Sequence, residues 1–237
     1  MNPVAMDAIN ARQEGRYEEA LRLLQQQFDQ VSAHNYFITM SEWTQLAEEY
    51  PPAQAALAAA RDEQARRLLD GDATLFVDRD ATAHSRFQTI VNINETLNDN
   101  QATYALFVQL LSAQPALARH EAFLALPAVV EAGDFALAEH YIGDPLPQLA
   151  ELNRLSHELP LFPERGKAPR LAAELSNFMT DVILRLTVLQ GLGREDEAEA
   201  LCRAALAGLE SDDMRELGLR ELTAPGTIIR TLASATK

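Results

Sequence analysis

Apolar residues return every three to four positions along almost the whole chain, which is the spacing of one face of a helix. Gly and Pro fall mainly between the periodic runs, where helices need stops. The pattern predicts helices over 4–14, 17–32, 35–50, 52–70, 81–98, 101–113, 115–132, 134–142, 146–158, 169–191, 194–209 and 212–222, with a short last one after Pro225. In 17–32, Tyr17, Ala20, Leu21, Leu24, Phe28 and Val31 form one apolar stripe, while Arg22, Gln25, Gln26 and Asp29 fill the other face. In 169–191 the apolar positions, from Leu171 through Phe178 and Val182 to Leu189, cover an arc wide enough for a central helix packed on several sides. Pro127 should kink or split 115–132, because it removes a backbone donor and crowds the preceding turn. No strand is expected, since "TLFV" at 74–77 is short and lies between Asp-rich turns.

Short loops between amphipathic helices favour antiparallel neighbours. The expected fold class is therefore all-α, a single domain over 1–237 built of stacked antiparallel helical hairpins. Between Gly143 and Arg170 lie five of the eleven prolines, and "PLFPERGKAPR" cannot be helix throughout. This suggests a subdivision into an N-terminal hairpin array over 1–142, a Pro-rich connector over 143–170 and a C-terminal helical unit over 171–237.

Composition narrows the function classes. The formal net charge is −15, from 35 acidic and 20 basic residues. That argues against nucleic acid, which needs clustered Lys and Arg, and equally against an anionic membrane surface. It fits simple solubility or a partner that is itself basic. The cations are nearly all Arg, with Lys only at 167 and 237, as expected of a GC-rich bacterial genome. Cys202 is alone, so neither a disulfide nor a Cys-based metal site can form within one chain. "MNPVAMDAIN" has no signal-peptide character, "TLASATK" has no lipidation box, and no apolar run reaches membrane-spanning length. A soluble cytoplasmic protein is expected.

Three turns share the form Gly-x-(aromatic)-x-x-Ala: Gly15 to Ala20 around Tyr17, Gly133 to Ala138 around Phe135, and Gly193 to Ala198, where Glu195 takes the aromatic's place. A left-handed Gly ends one helix, an aromatic wedges between the helices, and a small Ala allows close approach. With "ARQEGRYEEALRLL" and "WTQLAEEY", whose Trp43, Leu46, Ala47 and Tyr50 have the spacing of a repeat's first helix, the chain resembles a degenerate tetratricopeptide repeat protein. Pro51-Pro52 stands where that family turns on Gly. The three glycines lie 118 and 60 residues apart, against the family's constant period of about 34. The resemblance implies a right-handed array presenting a groove to a partner protein or peptide, with Asn or basic side chains on inner helices holding it.

Candidate binding residues follow from that implication. Asn94 lies on the apolar stripe of 81–98, where it either clamps a ligand backbone or satisfies a neighbouring helix end; Arg86 and Asn92 lie beside the stripe. Arg61, with Arg66 and Arg67, can build a carboxylate site or pair with Asp62 and Glu63. Arg170, Glu174, Asn177, Asp181 and Arg185 make a polar stripe on 169–191, a salt-bridged face or the lining of a polar groove. Arg165, Lys167 and Arg170 make loop 160–170 the most basic patch. If Asn94 and Asn177 line a groove, changing either to Ala should weaken partner capture with little change in melting temperature.

No catalytic motif is found: Gly-x-Ser-x-Gly, His-Glu-x-x-His, a phosphate-binding Gly loop and a dinucleotide fingerprint are all missing. "DRDATA" from Asp78 begins like a calcium loop and then fails, with Ala83 where Gly is required. The expectation is a non-enzymatic scaffold without cofactor or metal. Its rivals are an acidic inhibitor or chaperone masking a basic partner, and a small-ligand binder or enzyme with a pocket between helices.

Overall fold

A computed structural model describes residues 3–164 and 166–235. The periodic runs are helices: α1 (Pro3–Gln13), α2 (Tyr17–Asp29), α3 (Tyr36–Glu49), α4 (Pro51–Leu69), α5 (Arg86–Leu97), α6 (Asn100–Ala113), α7 (Pro115–Glu131), α8 (Phe135–Tyr141), α9 (Gln148–Glu158), α10 (Arg170–Gly191), α11 (Glu195–Gly208), α12 (Asp212–Thr223) and α13 (Thr227–Ala235). The fold is all-α apart from one small hairpin. Pro127 lies inside the single helix α7 and does not split it. Among the described residues, no helix is long and apolar enough to cross a membrane.

The chain divides into two compact units, residues 1–128 and 129–237. The segment 143–170 belongs to the second and contains α9. In the first unit α1 packs on α2, α2 on α3 and α3 on α4, with α1 also reaching α3; α4 packs on α5 and α6. Its core joins Leu24 and Phe28 of α2 to Trp43 and Leu46 of α3 and Leu57 of α4. In the second unit α10 touches α8, α9, α11, α12 and α13, as its wide apolar arc requires. Leu175, Phe178, Met179 and Val182 of α10 meet Leu152 and Leu155 of α9, Met214 and Leu217 of α12 and Ile228 of α13.

The glycine turns share one geometry. Gly15, Gly133 and Gly193 have φ of 74°, 77° and 72°. In each, the next residue's N–H donates five residues back: Arg16 to Ala11 O (2.8 Å), Asp134 to Val129 O (3.1 Å) and Arg194 to Leu189 O (2.9 Å). This pattern satisfies the last carbonyls of the preceding helix. Ala20, Ala138 and Ala198 are all buried. Tyr17 lies 5.6 Å from Tyr50, and the Phe135 ring occupies the space where Gly191 lacks a Cβ.

One sequence expectation fails. "TLFV" is a strand, β1 (Thr74–Val77), paired antiparallel with β2 (Ala83–Ser85), so the helix expected from residue 81 starts at Arg86. The reason is local chemistry. Asp78 Oδ1 accepts the N–H groups of Asp80 and Thr82, both at 3.1 Å, and closes the tip. Ser85 Oγ then accepts Gln88 N at 3.2 Å and caps α5. Phe76 stacks on His84 with centroids 4.7 Å apart, and Tyr36 of α3 lies 4.3 Å from the same imidazole.

Burial pushes the His84 imidazole below its ordinary value of 6.5. The unfolded chain then binds a proton more readily than the folded one. The stability held by neutral His84 is complete above pH 6.5 and falls as the pH drops below it. His84→Phe, which keeps the ring stack, should remove that part of the slope when melting temperature is followed from pH 8 to 5. An unchanged slope would show that His84 does not carry it.

Candidate functional site

Arg86, at the first position of α5, is 1% exposed. Its Nε donates to Asp72 O (2.7 Å), its Nη2 to Asp72 Oδ2 and Thr74 O (2.7 Å each), and its Nη1 to Gln64 Oε1. The guanidinium thus clasps the hairpin to α4 and faces no solvent. The Asp72 carboxyl also accepts from Arg67 at 2.6 Å. Hydrogen bonds from Arg67, then Arg86, hold it below the usual carboxylate value.

Arg61 and Asn94 meet. Arg61 Nη1 donates to Asn94 Oδ1 (3.2 Å) and to Asp99 Oδ2 (2.8 Å), while Asn94 Nδ2 donates to Thr103 Oγ1 (2.9 Å). Asp99 also caps α6 by accepting Ala102 N at 3.2 Å. The network ties α4, α5 and α6 together at one end of a shallow depression of about 210 Å³ lined by Ala65, Leu69, Ile90 and Leu106. Asn94 is fully buried with both ends of its amide engaged, which satisfies the burial requirement for a polar group. Asn94→Ala is therefore expected to lower stability by about 2 kcal/mol, through loss of a charge-assisted bond and an orphaned Thr103 hydroxyl. Exposed Asn177 should tolerate Ala within about 0.5 kcal/mol. Chemical denaturation of the two variants side by side checks the contrast.

The second unit carries a different surface. Between α10 and α11 runs a groove of about 460 Å³. Its floor is Leu146, Leu189, Leu201, Ala200 and Ala204, and its rim is Asp144, Arg185 and Glu197. Leu189 and Leu201 are buried with Ala198 beneath it. Arg185 and Leu189 are four residues apart on α10, and Glu197, Leu201 and Ala204 follow helical spacing on α11, so each helix turns one face to the groove.

Arg185 is half-buried. Among the described residues it is the one non-exposed arginine that makes no hydrogen bond or ion pair. Its obvious partner is engaged elsewhere: Glu197 accepts both Nε and Nη2 of Arg194 at 2.6 Å. That Arg194 pair, with a smaller contribution from the charge of Arg185, holds the Glu197 carboxyl below its usual value. Asp144 Oδ1 accepts Leu146 N at 3.1 Å. The groove thus combines an apolar floor with a cation whose hydrogen-bond donors are uncommitted.

In the loop 160–170, Lys167 pairs with Glu164 at 3.1 Å with both side chains exposed, a pair of little energetic weight. Arg165 lies outside the described residues. Of the polar stripe on α10, Asp181 accepts Gln148 Nε2 at 2.7 Å, Arg170 lines a depression under the 160–170 loop with Leu159, Pro160 and Lys167, and Arg185 reaches the α10–α11 groove. Sequence reasoning named Arg185 but missed the groove's other wall. The signal was the run Glu197, Ala200, Leu201, Ala204, in which small residues leave one helical face low.

Among the described residues, no group of three or more His, Cys, Asp or Glu side chains is placed to hold a metal ion. No family model, curated protein or solved structure matches the chain.

Proposed function

We propose that the protein is a non-enzymatic binding scaffold whose α10–α11 groove takes a segment of a partner protein. The observation that carries this reading is Arg185, half-buried over an apolar floor with its guanidinium unbonded. A partner segment that lays apolar side chains on Leu189 and Leu201 and offers a carboxylate would give that fork its planar, two-point acceptor. The tetratricopeptide-like, right-handed stacked array belongs to the same proposal. It is supported by the shared glycine-turn geometry and, within the first unit, by consecutive packing of α1 through α6 with second-neighbour contacts of α1 with α3 and α4 with α6.

A second reading rests on the net charge of −15. Arg12, Arg61, Arg66 and Arg67 are held in internal ion pairs, which leaves the acidic excess to face a basic partner. One experiment separates the two. Affinity capture from the native cell is run with the wild type and Arg185→Glu, at low and high salt. The groove reading expects at least about a tenfold loss of a defined partner in Arg185→Glu, at unchanged melting temperature. The charge-masking reading expects capture to collapse with salt and to survive the substitution. Equal capture by both proteins at both salts would sink the groove.

A further inference from the structure

Gln27 falls on the apolar stripe of α2, four residues after Leu23 and three after Leu24, and is 4% exposed. Its Oε1 accepts from Thr39 Oγ1 at 3.0 Å. Its Nε2 has no partner, and it is the one buried side-chain nitrogen or oxygen among the described residues in that state. An unmet buried donor is costly, and such exceptions call for an explanation. Gln27 also lines a pocket of about 190 Å³ in the first unit, with Val4, Gln30, Ser32, His34 and Asn35. A single water, whose share of liquid volume is about 30 Å³, would fill only a small part of it.

The lining selects a ligand chemistry. No lining residue is Arg, Lys, Asp or Glu, so neither an anion nor a cation would find a countercharge to offset its desolvation. Apart from Val4 the wall is polar, which disfavours a hydrocarbon. Asn35 Oδ1 is already engaged by Ser32 N (2.8 Å) and Ser32 Oγ (3.2 Å), whereas Asn35 Nδ2 reaches Gln27 O and Gln30 O only at 3.5 Å. Gln27 O also accepts Gln30 N at 3.2 Å, whereas the Gln30 carbonyl is weakly held and open to a better donor.

We propose that this pocket binds a carboxamide group, its carbonyl accepting from Gln27 Nε2 and its N–H donating to the main-chain oxygen of Gln30. The terminal torsion of a glutamine is soft, so the Gln27 amide turns toward an incoming group at small cost. A carboxamide answers either orientation of that amide, because it both donates and accepts. The proposal is independent of the α10–α11 groove, which lies in the other unit.

The test is titration of the full-length ¹⁵N-labelled protein at pH 8, above the ordinary histidine range, following the backbone amides of Gln30, Ser32 and Asn35, which line the pocket and are present in both the wild type and Gln27→Leu, together with the Gln27 side-chain NH₂ resonances in the wild type. The probes are propionamide and N-methylacetamide, with acetate and glycerol as charged and hydroxylic controls. Saturable shifts with an amide, at least fivefold weaker in Gln27→Leu and missing with the controls, are expected. Saturation by propionamide alone identifies a primary amide as the source, and saturation by N-methylacetamide as well identifies a peptide group. The proposal is overturned if neither amide saturates, if acetate or glycerol shifts the signals as well as the amides do, or if a folded Gln27→Leu binds as the wild type. Should Gln27→Leu not fold, the wild-type titration against its controls decides alone.

Discussion

Arg86→Met is expected to destabilise the first unit by about 3 kcal/mol, the scale for breaking a buried, hydrogen-bonded charge. Met fills much of the volume but donates nothing. Asp72 O, Thr74 O and Gln64 Oε1 each lose the donor that now meets them inside the protein. Asp72 itself keeps Arg67 and is 42% exposed, so its carboxylate is not stranded and the loss stays below that of a fully buried pair. Arg86→Lys restores the charge without the planar fork and should fall between. Trp43 is the single tryptophan of the chain and lies in the same unit. Its fluorescence during urea unfolding therefore reads the affected unit directly. A midpoint for Arg86→Met equal to the wild type would show that the clasp contributes nothing net.

The same residue shows where sequence reasoning stops. Periodicity places Arg86 beside the stripe of its helix, but it does not say that β1 and β2 fold over that position and turn an apparent surface cation into a buried one. The strands themselves were hidden for a physical reason. Thr74–Val77 is four residues long and its partner, Ala83–Ser85, has little β character. The pairing is held by the Asp78 turn, the Phe76–His84 stack and Arg86 rather than by strand propensity. The sequence carried one signal for the later helix start, a serine three residues before Gln88, and the helix expected from residue 81 passed over it. By contrast α2 and α10 were readable because their stripes are long and their packing demands them. Asn94 illustrates the intermediate case. Its place on an apolar stripe correctly required partners, and those partners are Arg61 and Thr103 of neighbouring helices. Gln27 carried the same signal on α2, a polar residue at buried spacing, and its missing partner is visible only once Thr39 and the pocket wall are in place. Arg185 was legible as one of a charged stripe. What distinguishes it, a neighbouring carboxylate already held by Arg194, depends on the α10–α11 contact and is not written in either helix alone.

Trp43→Ala should cost about 3–5 kcal/mol, the range for truncating a large buried aromatic. The indole is 1% exposed and meets the Phe28 ring edge-on at 5.6 Å. It also donates Nε1–H to Ala53 O at 3.1 Å. One side chain therefore joins α2, α3 and the first turn of α4. The corner it holds has no glycine. Tyr50 ends α3 in an extended conformation, φ −136° and ψ 101°, as a residue before proline must. Pro51 and Pro52 then open α4 at positions where a missing donor costs little, and Tyr50 O accepts Ala53 N at 2.8 Å. Such a corner fixes the direction of the chain but supplies no apolar wedge of its own, so Trp43 must serve as one. Trp43→Phe keeps part of the aromatic volume and loses the bond to Ala53 O, for an expected loss of about 1–2 kcal/mol. Because both substitutions remove the fluorophore, circular dichroism during urea unfolding is the measurement. If Trp43→Ala and Trp43→Phe unfold at the same midpoint, the packing of the indole is not what secures the corner.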